Sequence, residues 1–166
     1  MKKLLTVLVS VLVLGITVQA QQSSQVQGAY IYHFTKYMEW PSHKQSGDFV
    51  IAVVGNSSIH PYLKSLAATK KVGSQNIVVK KFSSASAVTN CHMIIVSTEK
   101  SNELAAIISK GKQYNALVVT EKNNQVIRGA GMSFVTVGGK AKFQLSELTI
   151  NKSGIKVSAK LVQMGV

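Results

Sequence analysis

The sequence predicts a three-layer α/β sandwich: a mainly parallel sheet of about five to six strands with a C-terminal β-hairpin. Three observations predict it. Phe49–Gly55, Met93–Ser97 and Ala116–Thr120 are apolar runs without polar alternation, as in strands covered on both faces. Amphipathic helical stripes lie between strand-like segments, which is the β-α-β rhythm of a parallel sheet. After Thr120 that rhythm stops, and Gly138-Gly139 separates two short strand-like segments.

At the N-terminus, Met1-Lys2-Lys3 precedes Leu4–Val18, 15 residues without charge, and Val18-Gln19-Ala20 ends the run on small residues. This is the pattern of a secretory signal peptide over residues 1–20. As a helix the run rises only about 22 Å, short of a hydrocarbon core of roughly 30 Å. No Cys stands at its end, which disfavours a lipoprotein. The expected mature chain is one domain, residues 21–166, exported and not membrane-spanning.

Gln21–Gln27 reads as a polar, frayed start. Gly28–Trp40 reads as a helix, with Tyr30, Phe34, Tyr37 and Met38 at helical spacing and Pro41 closing it. Asn56–Ala68 follows the first strand as a helix. Pro61 is tolerable only in its first turn, and Leu63, Leu66 and Ala67 form its stripe. Asn76–Phe82 is the next strand. Ser101–Lys110 is the clearest helix, with Ser101 as its cap, Leu104, Ile107 and Ile108 inward, and Lys110-Gly111 ending it. Met132–Val137 and Lys142–Leu145 flank the hairpin turn. In the tail, Ile155, Val157, Ala159 and Leu161 alternate like a strand, while Lys152, Lys156 and Lys160 are spaced like a helix face. The reading favours an extended piece running into a helical end.

Composition excludes several functions. The chain has 166 residues, 46% of them apolar, which is enough for a core and too much for disorder. A single Cys excludes a disulfide scaffold and Cys-rich zinc modules. Losing Lys2 and Lys3 takes the charge from +13 to +11, and only Arg128 among the bases is Arg. A nucleic-acid binder would carry more Arg for bidentate contacts, so nucleic acid is not an expected partner. The lysines read either as a solubilising face or as attraction to an anionic membrane, cell-wall polymer or acidic domain.

Motifs for chemistry are absent or incomplete. Gly129-Ala-Gly131 begins a G-x-G-x-x-G pattern that fails at Phe134 and has no helix behind it. No Walker loop or G-x-S-x-G elbow occurs. Asp48 is the only Asp for a triad with His33, His60 or His92, and the six acids are scattered in sequence. Cys91-His92 would point to opposite faces of a strand, so no metal site is expected there. Cys91 itself reads as a small core residue or a regulatory thiol. The reading assigns no catalytic residue, no metal and no cofactor. The βα turn at Gly55-Asn56, together with Ser97-Thr98, marks the carboxyl ends of two strands, where an open α/β sheet takes a small ligand.

The most distinctive feature is aromatic. Five of the chain's 11 aromatics, Tyr30, Tyr32, Phe34, Tyr37 and Trp40, fall within residues 30–40. Such a helix cannot bury every ring against one sheet. It is either core with partly exposed tyrosines or a protein contact built on Tyr30, Tyr32, Tyr37 and Trp40. Stripe geometry places Tyr37 in the core and Tyr32 or Trp40 at the surface.

The block Ala29-Tyr-Ile-Tyr-His-Phe-Thr-Lys-Tyr-Met-Glu-Trp40-Pro41 resembles the opening helix of the YfiR/HmsC-like family. Phe49–Gly55, Val72-Gly73 with Ile77-Val78-Val79, Cys91–Val96 and Gly154–Leu161 extend the resemblance over nearly the whole mature chain. It implies an exported, non-enzymatic α/β protein of the periplasm. The characterised type inhibits a membrane-bound diguanylate cyclase, lowering cyclic-di-GMP and biofilm formation. The implied partner is the extracytoplasmic domain of a membrane signalling protein, and a homodimer is compatible with it. Two departures matter. Characterised relatives carry paired cysteines, so their redox control is closed to lone Cys91. The family usually has an acidic residue and an Asn where this chain has Gln144 and Ser146. The alternative function is a periplasmic small-ligand-binding domain.

Overall fold

The computed structural model describes residues 23–166. The expected signal peptide and its cleavage point lie outside the described residues. A helix, α1, covers residues 23–37. A short strand β1 (Met38–Glu39) follows, then β2 (Phe49–Val54), α2 (His60–Thr69), β3 (Lys71–Val72) and β4 (Gln75–Phe82). Next come β5 (Met93–Val96), α3 (Leu104–Tyr114), β6 (Leu117–Thr120), β7 (Met132–Val137) and β8 (Lys140–Leu145). The chain closes with α4 (Glu147–Lys152), β9 (Lys156–Val157) and α5 (Ala159–Met164). The main sheet has seven strands, one more than the upper expectation, in the order β3-β4-β2-β5-β6-β7-β8. The extra one is the two-residue β3, too short for a period-two signal.

β4, β2, β5, β6 and β7 are parallel, and β7–β8 is the expected hairpin. Strand residues alternate between two cores. Ile51, Val53, Met93, Ile95, Leu117 and Val119 face one, with residues of α1, α2, α4 and α5. Ala52, Val54, Ile94, Val96 and Val118 face the other, which α3 covers through Leu104 and Ile107. Helices on both faces make the three layers.

Several boundaries move for physical reasons. Residues 23–27 are helical rather than frayed. α1 stops at residue 37 instead of 40, because Met38-Glu39 pairs antiparallel with Val157-Lys156 and Ser158 N–H donates to Tyr37 O at 3.0 Å. Pro41 then opens a 3-10 turn, Ser42–Lys44. α3 does not end at Gly111. It runs to Tyr114, and Asn115 supplies the left-handed cap at φ 50°. Gly111 serves packing: a Cβ there would lie 2.6 Å from Val118 Cγ2. Ser101 does not cap α3. It sits in a preceding 3-10 turn, donating to Thr98 O at 2.6 Å. α4 had no helical stripe to announce it and rests on the Ser146 cap, which accepts from Thr149 N–H.

Trp40 corrects the expectation of a surface residue. It is 5% exposed, packed edge-on to Phe49 at 5.1 Å and to His92 at 5.9 Å. Leaving the helix three residues early turns it inward over the start of β2. Its indole N–H has no partner among the described residues. Trp40→Ala should cost about 3–5 kcal/mol of folding free energy. Trp40→Phe should cost far less, because it removes a buried donor whose desolvation costs about 1–3 kcal/mol. Denaturant melts of the two variants check the order; equal losses would refute it.

Candidate functional site

α1 divides the four aromatic candidates. The Tyr30 ring packs against Phe143 at 5.2 Å and Phe34 at 6.3 Å, and its hydroxyl reaches Ala141 O at 3.5 Å. Trp40 belongs to the core, and Tyr30, half-buried, packs its ring against it. Tyr32 and Tyr37 are half-buried with their rings covered by cations: Lys36 Nζ lies 4.8 Å from the Tyr32 centroid, and Lys160 Nζ 5.2 Å from that of Tyr37. The exposed His33 ring stacks on Tyr37 at 6.1 Å. At 100° per residue, Tyr32, His33, Lys36 and Tyr37 share one outward arc. Tyr37 is thus not fully core, and Lys36 joins a set that its i,i+4 spacing from Tyr32 could have revealed.

The second candidate lies where the connections diverge. β2 leads into α2 on one face, and its neighbour β5 leads toward α3 on the other. This is the topological switch point of the sheet. It brings Gly55, Asn56, Ser97 and Thr98 together, with Ser97 N–H donating to Val54 O at 3.1 Å. Gly55 has φ +87°, and a Cβ there would collide with Ser97 Oγ and come within 2.8 Å of Glu99 Oε1. A cleft of about 610 Å³ opens beside it, lined by Gly55, Asn56, Lys81, Phe82, Glu99 and Lys100.

Sequence reading missed the acids here. Glu99, Glu103 and Glu121 are scattered in sequence yet gather at this edge. Glu99 accepts the Asn56 N–H at 2.7 Å. Glu121 accepts the Ser57 hydroxyl, and burial raises its carboxyl above the usual range, with the Glu99 charge adding to the effect against the Ser57 and Thr98 hydrogen bonds. Glu103 accepts the Ala85 N–H at 2.8 Å and pairs with Lys100 at 2.9 Å, and both interactions lower its pKa. The place where an anion would meet the first βα turn is therefore filled by the chain's own carboxylate. Ser97 Oγ, 1% exposed, has no partner among the described residues. No group of three His, Cys, Asp or Glu side chains is placed to hold a metal among the described residues.

A third polar cluster sits at the opposite, amino edge. His92, 5% exposed, accepts Val50 N–H on Nδ1 at 3.1 Å, so its neutral ring carries the proton on Nε2, which donates to Lys44 O at 2.8 Å. Gln75 Nε2 donates to the same carbonyl at 3.0 Å. Lys44, 6% exposed, donates from Nζ to Asn90 Oδ1 at 2.5 Å and Cys91 O at 2.9 Å. With both nitrogens engaged, His92 has no free lone pair for a triad. Cys91 is 2% exposed, and burial pushes its thiol up to about 12 against the opposing pull of Lys44. A thiol so protonated is a poor nucleophile at neutral pH. A further cavity of about 270 Å³ separates α3 from α4, with Lys112, Arg128 and Lys152 along it.

A family model described as YfiR/HmsC-like matches residues 24–166. No curated protein matches the chain.

The amino-edge cluster fixes a pH response. Burial, with the Lys44 charge adding to it against the Lys44 carbonyl bond, holds the pKa of His92 below 6.5. The unfolded chain therefore takes up a proton below pH 6.5 that the folded chain resists. The stability is full above that value and is lost as pH falls toward the folded pKa. At pH 5.5 the loss is at most about 1.4 kcal/mol. Melts at pH 7.5 and 5.5 should show a smaller drop for His92→Gln, which can keep both hydrogen bonds. His60, whose pKa is also lowered, requires His60→Gln beside it. An equal drop in wild type and His92→Gln would count against the assignment.

Proposed function

The chain belongs to the YfiR/HmsC-like family, and from this we propose that it is a periplasmic regulator that binds the extracytoplasmic part of a membrane signalling protein. The family is regulatory and periplasmic, and among the described residues no helix is long and apolar enough to cross a membrane. In this reading residues 1–20 direct export, 21–166 act as one domain, and the target is a diguanylate cyclase held in an inactive conformation. Binding one conformation of the target more tightly than another is all the mechanism requires.

The observation that carries this reading is the outward arc of α1. Tyr32, His33, Lys36 and Tyr37 form an aromatic and cationic surface on a helix whose other side is locked into the core. Tyr offers large contact area at low entropic cost, which suits an interface anchor. Tyr30 and Trp40 support that surface from beneath. Tyr32→Ala should weaken partner capture from membranes by about thirtyfold, equivalent to about 2 kcal/mol, with little change in melting temperature. A stable variant that still holds its partner would defeat the reading.

A second reading, small-ligand binding at Gly55, Asn56, Ser97 and Thr98, is favoured by the unpartnered Ser97 hydroxyl. Native mass spectrometry of protein from its own host should then find a bound small molecule that Ser97→Ala loses. Mass spectra with no adduct would set this reading aside.

A further inference from the structure

Residues 49–98 contain no Asp or Glu and five lysines: Lys64, Lys70, Lys71, Lys80 and Lys81. The fold collects them at one margin of the sheet. β4 is the last long strand there, and β3 pairs only with Gln75 and Asn76, so among the described residues no strand adjoins the outer edge of Ile77–Phe82. Lys81 shares a face with Ile77 and Val79, the face α2 covers, and α2 carries Lys64. Lys80 lies on the opposite face, as does Lys71 through its partner Asn76. Lys70 caps the end of α2.

All five lysines are exposed. Among the described residues the ion pairs are Lys100–Glu103 and Lys156–Glu39, and neither involves this margin. One of the five is hydrogen-bonded to a side chain: Lys81 donates to Asn56 Oδ1 at 2.8 Å. His60 stands within the combined field. Its pKa is lowered by burial first, then by Lys64 and Lys81. No large exposed apolar side chain lies between residues 49 and 98.

We propose that this lysine margin rests against a bilayer surface containing anionic phospholipids and holds the protein there peripherally. This goes beyond the regulator reading, since it needs no particular protein partner. Three features select a lipid surface over an acidic protein. The bases are all Lys, hydrated point charges suited to a diffuse field, where a protein carboxylate would favour the bidentate fork of Arg. They straddle both faces of a sheet edge, which presents a front to a plane and builds no pocket. The margin has no apolar anchor, so attachment is electrostatic, reversible and without insertion.

The test is co-sedimentation of the mature chain with vesicles of phosphatidylcholine, with and without phosphatidylglycerol. Binding should require phosphatidylglycerol and fade as salt is raised. Each lysine at such a surface is worth about fivefold in partitioning. Replacing all five by Gln should therefore lower partitioning at least about tenfold even if several engage weakly. The control replaces Lys110, Lys112, Lys122, Lys140 and Lys152 by Gln, an equal change in charge, and should keep most of the binding. Melting temperatures report folding of both, and Lys70→Gln/Lys71→Gln/Lys80→Gln serves if the fivefold variant melts early. Equal losses in the two sets would assign the effect to net charge and overturn the proposal. So would failure to bind phosphatidylglycerol vesicles at low salt, with or without retention on an acidic polypeptide.

Discussion

The fold depends on burying both faces of its central parallel strands. β2, β5 and β6 are apolar at nearly every position, so neither face can meet water. Their residues divide into two cores of different texture. The α3 side is built from small side chains, Ala52, Ala85, Ala116 and Ala130 among them, and one helix covers it. Gly111 lets that helix approach Val118 closely. The other side holds Phe34, Phe49, Phe134, Phe143 and Trp40, and needs residues from four helices. The layers are unequal because the residue volumes on the two faces are unequal.

That asymmetry decides what α1 can do. Phe34 stacks on Phe134 and meets Phe143 edge-on at 5.0 Å, joining the start of the domain to its late hairpin. Ile31 and Tyr30 complete the contact. A helix held this firmly on one side is a rigid platform, and preorganisation lowers the entropic cost of docking on the other. The 3.6-residue period divides the aromatics of residues 30–37 around the helix axis, Phe34 fully buried and Tyr32 and Tyr37 half-buried.

Much of this was legible in sequence. The continuous runs Phe49–Gly55 and Met93–Ser97 leave little choice but buried strands, and Gly138-Gly139 leaves little choice but a hairpin. Local signals failed where a distant partner set the backbone. Met38-Glu39 continues a helical pattern yet pairs with residues 156–157, which no local rule could supply. Gly111 resembles a helix stop because close packing and termination use the same residue. The switch-point residues Gly55, Asn56, Ser97 and Thr98 were found because strand ends can be read locally. Glu99 and Glu121 were missed because their convergence depends on strand order.

The distribution of satisfied groups bears on what kind of protein this is. Several side chains suited to chemistry are engaged with the chain's own groups. His92 has both nitrogens on backbone groups, Glu99 and Glu103 hold N–H donors at a sheet edge, and burial keeps Cys91 a thiol. Each stabilises a local junction, and each would have to give up that bond to serve a substrate. At buried His92, releasing such a bond costs about 1–3 kcal/mol, whereas Glu99 is exposed and gives its bond up at less cost. Tyr32 and Tyr37 of α1 and the lysines of the β4 margin carry no comparable obligation. Tyr32 is half-buried beneath Lys36, Tyr37 beneath Lys160 and the His33 ring, and the margin lysines are exposed with one hydrogen bond at Lys81. Surfaces of that kind change partners cheaply, which is the property a binding protein requires.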